Sequence, residues 1–510
     1  MLTTVVASLA LGLAVADAPR AVTISPSTIK SHLDYLTSEE LGGRMTLSPG
    51  MKLFADYAAE RFKRYGLSEG PNPGYFHYYE TSANQRAGAN NSAYAEANGR
   101  KSTLKLGEDF VPLIGSTNKK TVSGEVVFVG YGLEEENWSD YAGIDVKGKI
   151  VVALRGVPEG QRNRNNSAKA RLASEKGATG IIFVGEGAGR ASLPPLARGL
   201  GVPTSVETVA IAITNATFER LTGLKGATER SATKPNSRLL PVKVEMTTET
   251  EPNTGKAINV IGYLPGNDPV LKNEYIIIGA HFDHLGYAET GSRTGVPEMH
   301  PGADDNGSGS AGLLALAEEM SKSKGNRRTI IFQLYSGEEI GLQGSRAWVT
   351  DNPETIGKTM GMLNMDMIGS VRFNDIYVFG TSTSLGWDGL LDQVKVGDLN
   401  LVYRGHLRGD SDQASFGRRN VPSLFFHSML TEFYHTEHDT IDKVNVVGAA
   451  KVCEAVAQLA MIMDKQDKRL DWNTAAKLGG GATDRVIPTA AGTSERQGAA
   501  TKPATAGGGR

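Results

Sequence analysis

Apolar residues along this chain fall into two textures. From 256 to 464, short and nearly continuous apolar runs alternate with longer segments at helical spacing. The runs are AINVIGYL, EYIIIGAH, RTIIFQLYS, GMLNMDMIG, DIYVFGT and VPSLFFH, and helices are predicted over 309–323, near 384–396 and over 443–464. Strands without a polar face, separated by helices, predict an α/β fold with a mostly parallel, mixed sheet sandwiched by helices. Upstream, residues 27–67 read as two helices around a loop. Leu33, Leu36 and Leu41 precede GGRMTLSPG, and helical spacing resumes from Met51 to Tyr65.

The second texture occupies 120–245. GEVVFVGYG, GKIVVALRG, ATGIIFVGEG and ETVAIAITNA are strand-like runs broken by turns, with one helical piece, SAKARLASEKG. They predict a compact β-rich insertion, so that 19–119 and 246–468 form one interrupted domain and 120–245 another. Residues 68–105, rich in Asn, Gly, Ser and Ala, read as an irregular connection. Beyond 469 the chain is dominated by Gly, Ala, Thr and Ser, and a disordered tail to 510 is expected, because such a segment buries too little apolar surface. Residues 1–18 form an apolar stretch closing on Ala16-Asp17-Ala18, which predicts a signal peptide and a secreted or periplasmic product.

Composition narrows the function classes. A chain of 510 residues exceeds one ordinary core and predicts two domains with tails. A net charge of −2, no basic cluster and only 7% aromatics argue against nucleic acid as a partner. No other segment reads as a stable membrane insertion. Cys453 is the sole cysteine, so no intrachain disulfide forms, and its place in an apolar helical pattern predicts burial.

Acids and histidines collect beside the predicted strands. They are His281 in IIIGAHFDHLG, Asp305 in HPGADDNGSGS, Glu338 and Glu339 in LYSGEEIGLQGS, Asp366 in NMDMIG and His435 in EFYHTEHDT. In open α/β sheets such positions converge at the carboxyl ends of strands. Imidazole and carboxylate are zinc's donors, and one carboxylate can bridge two ions. Adjacent Glu338 and Glu339 have diverging side chains, so one can bind metal while the other stays free as a general base. Asp304 is expected to fix its loop by hydrogen bonds, His284 and His438 to be non-ligands, and His300 to be a loop residue. Asp439 is a candidate support for His435.

In this order, HxD, GADDNGSG, SGEEIGLQGS, NMDMIG, SDQASF and YHTEHDTID resemble the M28 family of co-catalytic zinc peptidases, of the bacterial secreted aminopeptidase type. The resemblance covers 27–67 and 256–464, and the insertion resembles a protease-associated (PA) domain. It implies two Zn2+ per chain. His281, Asp305 and Asp366 would hold one, Asp305, Glu339 and His435 the other, with Asp305 bridging and a cis peptide after it. It also implies Glu338 as general base on a zinc-bridging water, Tyr434 as an oxyanion donor, and Asp283 as an acceptor orienting His281. The implied activity is hydrolysis of N-terminal peptide bonds, with peptide or protein N-termini as substrates. A glutaminyl cyclase or carboxypeptidase-like activity on the same scaffold is the alternative, and a non-catalytic binding protein stands further off.

Overall fold

The computed structural model describes residues 22–476 and 479, except 98, 114–115, 159–160, 162–165, 186–207, 288–290, 295–297 and 324. The expected signal peptide and all but the first few residues of the expected tail lie outside the described residues.

Two eight-stranded sheets organise the chain. The main sheet holds β1 (Phe76–Ala87), β2 (Thr250–Leu264), β3 (Tyr275–His281), β4 (Thr329–Tyr335), β5 (Thr359–Met365), β6 (Asp375–Phe379), β7 (Asn400–Arg404) and β8 (Ser423–His427). Their spatial order is β1-β2-β4-β3-β5-β8-β6-β7. The central strands β4, β3, β5 and β8 run parallel, while β2 and β6 join them antiparallel on opposite flanks. This is the mixed sheet the alternating runs predict.

Side chains alternate between the faces of each central strand, as the two-residue period requires. Ile276, Ile278 and Ala280 of β3 join Ile330, Phe332 and Leu334 of β4 in one core, under α1 (Pro26–Leu36), α2 (Pro49–Arg64), α3 (Gly309–Ser321) and α4 (Val446–Asp464). Ile277 and Ile331 face the other way and pack with Trp348, Met362 and Phe416. Burial of both faces is why these strands lack a polar period. By length and composition α4 could cross a bilayer. Val452, Cys453, Val456 and Leu459 are nonetheless buried in the main core, which accounts for its composition.

The second sheet contains, in spatial order, Arg100–Leu104, Ser92–Ala97, Arg238–Thr248, Lys120–Phe128, Ile150–Leu154, Gly180–Val184, Val209–Ile213 and Phe110–Pro112. Ala170 and Ala173 of the helix Asn166–Glu175 pack on one face, and Phe218 and Leu221 of the helix Asn215–Thr222 on the other.

Three expectations need correction. Residues 68–105 are not an irregular connection, since β1 and the hairpin Ser92–Leu104 lie within them. The hairpin's inward positions include Ala93 and Ala95, both buried, so its two-residue period is written in residues too small to show as an apolar pattern. The boundary expected at 119/120 therefore falls too late, because the strands from Ser92 to Pro112 already belong to the second sheet. The helix expected near 384–396 shrinks to Trp387–Leu391.

The two sheets meet at a knot of asparagines. Ala87 pairs with Thr250 at the end of the β1–β2 ribbon, and the Gly88 amide donates to the Glu249 carbonyl at 2.8 Å. Asn91 exchanges two hydrogen bonds with the backbone of Glu249, and Asn118 does the same with Thr250. Each side chain thereby imitates a strand partner.

The N-terminal helices carry a titrating histidine of their own. His32 on α1 hydrogen-bonds the Tyr57 hydroxyl at 2.7 Å, and burial, aided by the Arg61 charge, lowers its pKa to about 4. The unfolded chain, with an ordinary histidine near 6.5, binds more protons between these values, so stability rises with pH through that window and is lost as pH falls from 6.5 towards 4. Urea unfolding at pH 7 and pH 5 should show a His32→Gln variant losing about 2 kcal/mol less than the parent protein on acidification.

Candidate metal centre

Four of the six ligand-type residues sit at or just beyond a strand end. His281 is the last residue of β3, Asp366 follows β5 directly, and Glu338 and Glu339 lie in the turn after β4. Asp305 sits in the turn that opens α3, and its peptide to Asn306 is cis. His435 lies in the loop after β8 with a left-handed backbone, φ +57°. The structure thus gathers His281, Asp305, Glu338, Glu339, Asp366 and His435 at one point above the parallel strands.

The geometry divides at Asp305. Its Oδ1 lies 3.5 Å from His281 Nε2, which is also 3.4 Å from Asp366 Oδ1. Its Oδ2 lies 3.1 Å from His435 Nε2, which is also 3.2 Å from Glu339 Oε2. Two triads share one carboxylate. Glu338 stands apart, its Oε2 3.9 Å from His281 Nε2.

These groups perturb one another strongly. Burial opposes protonation of His281, but the Asp366 and Glu338 carboxylates hold it well above its usual value. Burial likewise opposes His435, yet Glu339 and Asp305 raise it to about 11. Glu339 is pulled well below the carboxylate range, against its burial, chiefly by His435. Burial pushes Glu338 well up, with Glu339 adding to the rise. Three clustered imidazoles, those of His281, His284 and His435, do not balance four carboxylates, and no Lys or Arg side chain pairs with those carboxylates among the described residues. Asp366 Oδ1 is buried without a hydrogen-bond partner. Uncompensated buried anions and an orphaned oxygen are what bound cations would satisfy, and imidazole with carboxylate suits zinc.

Supports surround the ligands. His281 Nδ1 meets the backbone oxygen of Asp283 at 3.2 Å, nearer than that residue's carboxylate at 3.6 Å, so the orienting contact comes through the main chain. His435 Nδ1 donates to the Gly291 carbonyl at 3.0 Å, turning Nε2 towards the acids. Tyr434 stacks on the His435 ring at 3.8 Å. Burial and the surrounding carboxylates push its phenol upward, so it stays protonated as a donor. Asp304 accepts from Gly369 N, Ser308 Oγ and Ser370 Oγ, the loop-fixing role expected of it.

Asp439 and His284 differ from expectation. Asp439 does not reach His435 but accepts from the amides of Asp304 and Asp305. His300 is the loop residue expected of it and is wholly buried, against Ser292 Oγ and the Glu298 carbonyl. His284, expected to be a non-ligand, bonds Glu339 Oε1 at 2.8 Å and lies 3.9 Å from Asp305, so it forms a metal-capable group with those two acids, beside His435. Sequence reasoning missed His427, whose Nδ1 donates to the Asp366 carbonyl at 2.8 Å. Its place at the end of β8 matches that of His281 on β3 and was the available signal.

The comparisons with known proteins follow this division of the chain. Probable leucine aminopeptidase 1 of Trichophyton verrucosum is 31% identical over 206 residues, 36% of this chain and 52% of that protein. A probable glutamate carboxypeptidase of Arabidopsis thaliana is 25% identical over 383 residues, 63% of this chain and 50% of that protein. The chain spans about half the length of these curated relatives. BSAP, a zinc aminopeptidase from Bacillus subtilis, shares the fold with a TM-score of 0.56 at 19% identity, covering 86% of this chain and 95% of that one. Residues 259–460 match the model of peptidase family M28 and residues 122–221 that of the PA domain. The chain is thus similar to peptidase family M28 over residues 259–460 and to the PA domain ahead of them.

Proposed function

We propose that the protein is an exported di-zinc aminopeptidase that hydrolyses N-terminal peptide bonds. The carrying observation is Asp305, whose two carboxylate oxygens face two different histidine–acid pairs. His281, Asp305 and Asp366 would hold one zinc, and Asp305, Glu339 and His435 the other. Bound zinc would supply Lewis-acid polarisation of the scissile carbonyl and acidify the attacking water.

The remaining chemistry belongs to side chains. Glu338 has no ligand role in either triad and stands beside both. It takes a proton from the attacking water and delivers it to the leaving amine. The Tyr434 hydroxyl, kept protonated, donates to the oxygen on which negative charge develops. Asp366 and Glu338 supply the negative charge that a substrate's free α-amino group would meet, which accounts for action at the N-terminus. The relatives named leucine aminopeptidases support this reading and make leucine the first side chain to try.

Three outcomes check it. Aminoacyl nitroanilides should be cleaved only with a free amine, and their N-acetylated twins should resist; cleavage of both would exclude an aminopeptidase. Glu338→Gln should lower kcat by about 10²–10⁴-fold with zinc retained, measured as turnover beside metal content. After dialysis, His281→Ala and His435→Ala should each keep one zinc of two, and Asp305→Ala neither. Equal metal content across the three would refute a shared carboxylate.

A further inference from the structure

A short segment far upstream of every ligand motif reaches three of the segments that carry ligand-type residues: the loop after His281, the turn before Asp305 and the turn of Glu338 and Glu339. Gly43 to Thr46 lie between α1 and α2 in GGRMT. The Arg44 guanidinium is fully buried and donates to four carbonyls, those of Phe282, Leu36 and Pro301 at 2.7 Å and that of Gly302 at 3.0 Å. Phe282 follows His281, and Gly302 precedes the Asp304–Asp305 turn. Gly43 makes the approach possible. Its φ is +72°, and a Cβ there would stand 2.6 Å from the Gly286 carbonyl oxygen and 2.7 Å from that of His300.

Thr46 completes the connection. Its buried hydroxyl donates to Asp283 Oδ2 at 2.8 Å and accepts from the Gly337 amide at 2.9 Å. Asp283 Oδ1 in turn accepts from the Glu338 amide at 3.1 Å. One hydroxyl therefore ties the loop after His281 to the turn that presents Glu338 and Glu339. No direct hydrogen bond joins the His281 and Glu338 side chains, whose 3.9 Å separation must be set by their backbones.

We propose that Thr46 is a positioning residue whose hydroxyl fixes the spacing between the His281 side of the metal centre and the Glu338–Glu339 turn. Arg44 anchors the segment that delivers it. The proposal rests on the metal reading given above. Partners that orient ligands in this manner are typically worth about 10–100-fold in metal affinity or activity.

The test compares Thr46→Val, which keeps the shape and loses the hydroxyl, with Thr46→Ser, which keeps the hydroxyl. Metal-free full-length protein is titrated with zinc against a chromophoric chelator, kcat and KM are measured on a free-amine nitroanilide, and thermal unfolding is followed without metal. Thr46→Val should bind zinc about 10–100-fold more weakly and lose kcat more than KM. Thr46→Ser should restore both to within a few-fold. A Thr46→Val protein that matches the parent in zinc affinity and kcat overturns the proposal, and so does a Thr46→Ser protein as defective as Thr46→Val. Should Thr46→Val not fold, Asp283→Asn breaks the same link from the other side, and unchanged zinc affinity there overturns it equally. A parent protein that takes up no zinc overturns the metal reading itself, and this proposal with it.

Discussion

The burial of four carboxylates within reach of one another is the constraint on which the rest of this structure depends. Asp305, Glu338, Glu339 and Asp366 are all largely withdrawn from water, and like charges so placed repel strongly in a medium of low polarity. The surrounding architecture serves to hold them there. Backbone amides steady Asp304 and, through Asp439, the turn that bears Asp305. Carbonyl oxygens set the ring orientations of both histidines. Even the buried Arg44 guanidinium is directed at carbonyls, leaving the acids free for other positive charge.

The sheet makes such a cluster attainable. Four parallel strands deliver their carboxyl ends to one edge, so residues distant in sequence meet without any one loop carrying them all. Apolar side chains on both faces lock the register of β3, β4 and β5, and a slip by one residue would move His281 away from its acids. The position of the site is therefore inherited from the same core that stabilises the domain.

The sequence revealed what periodicity and residue chemistry encode. Both-face burial leaves unbroken apolar runs, so the central strands and their helices were visible, and the acids and histidines stood out at the ends of those runs. The hairpin Ser92–Leu104 was not visible, because Ala93 and Ala95 bury little surface and mimic a polar linker. The partners of the ligands were harder still. Asp439 was assigned to a neighbour in sequence, His435, whereas the fold turns it to the amides of Asp304 and Asp305. Thr46 and Arg44 act across more than 230 positions, through hydrogen bonds to main-chain groups and to Asp283 that no local pattern records.

The asparagine knot between the sheets has a consequence for how this chain is assembled. Because Ala87 and Thr250 face each other directly, the PA-bearing region leaves and re-enters the main sheet at a single rung of a ladder. Topologically, the main domain experiences it as an oversized hairpin turn. Closing such a turn costs little more as it lengthens, since the entropy of loop closure grows only logarithmically. The strand ends that hold the acids therefore depend little on the length of what the main domain carries at that rung.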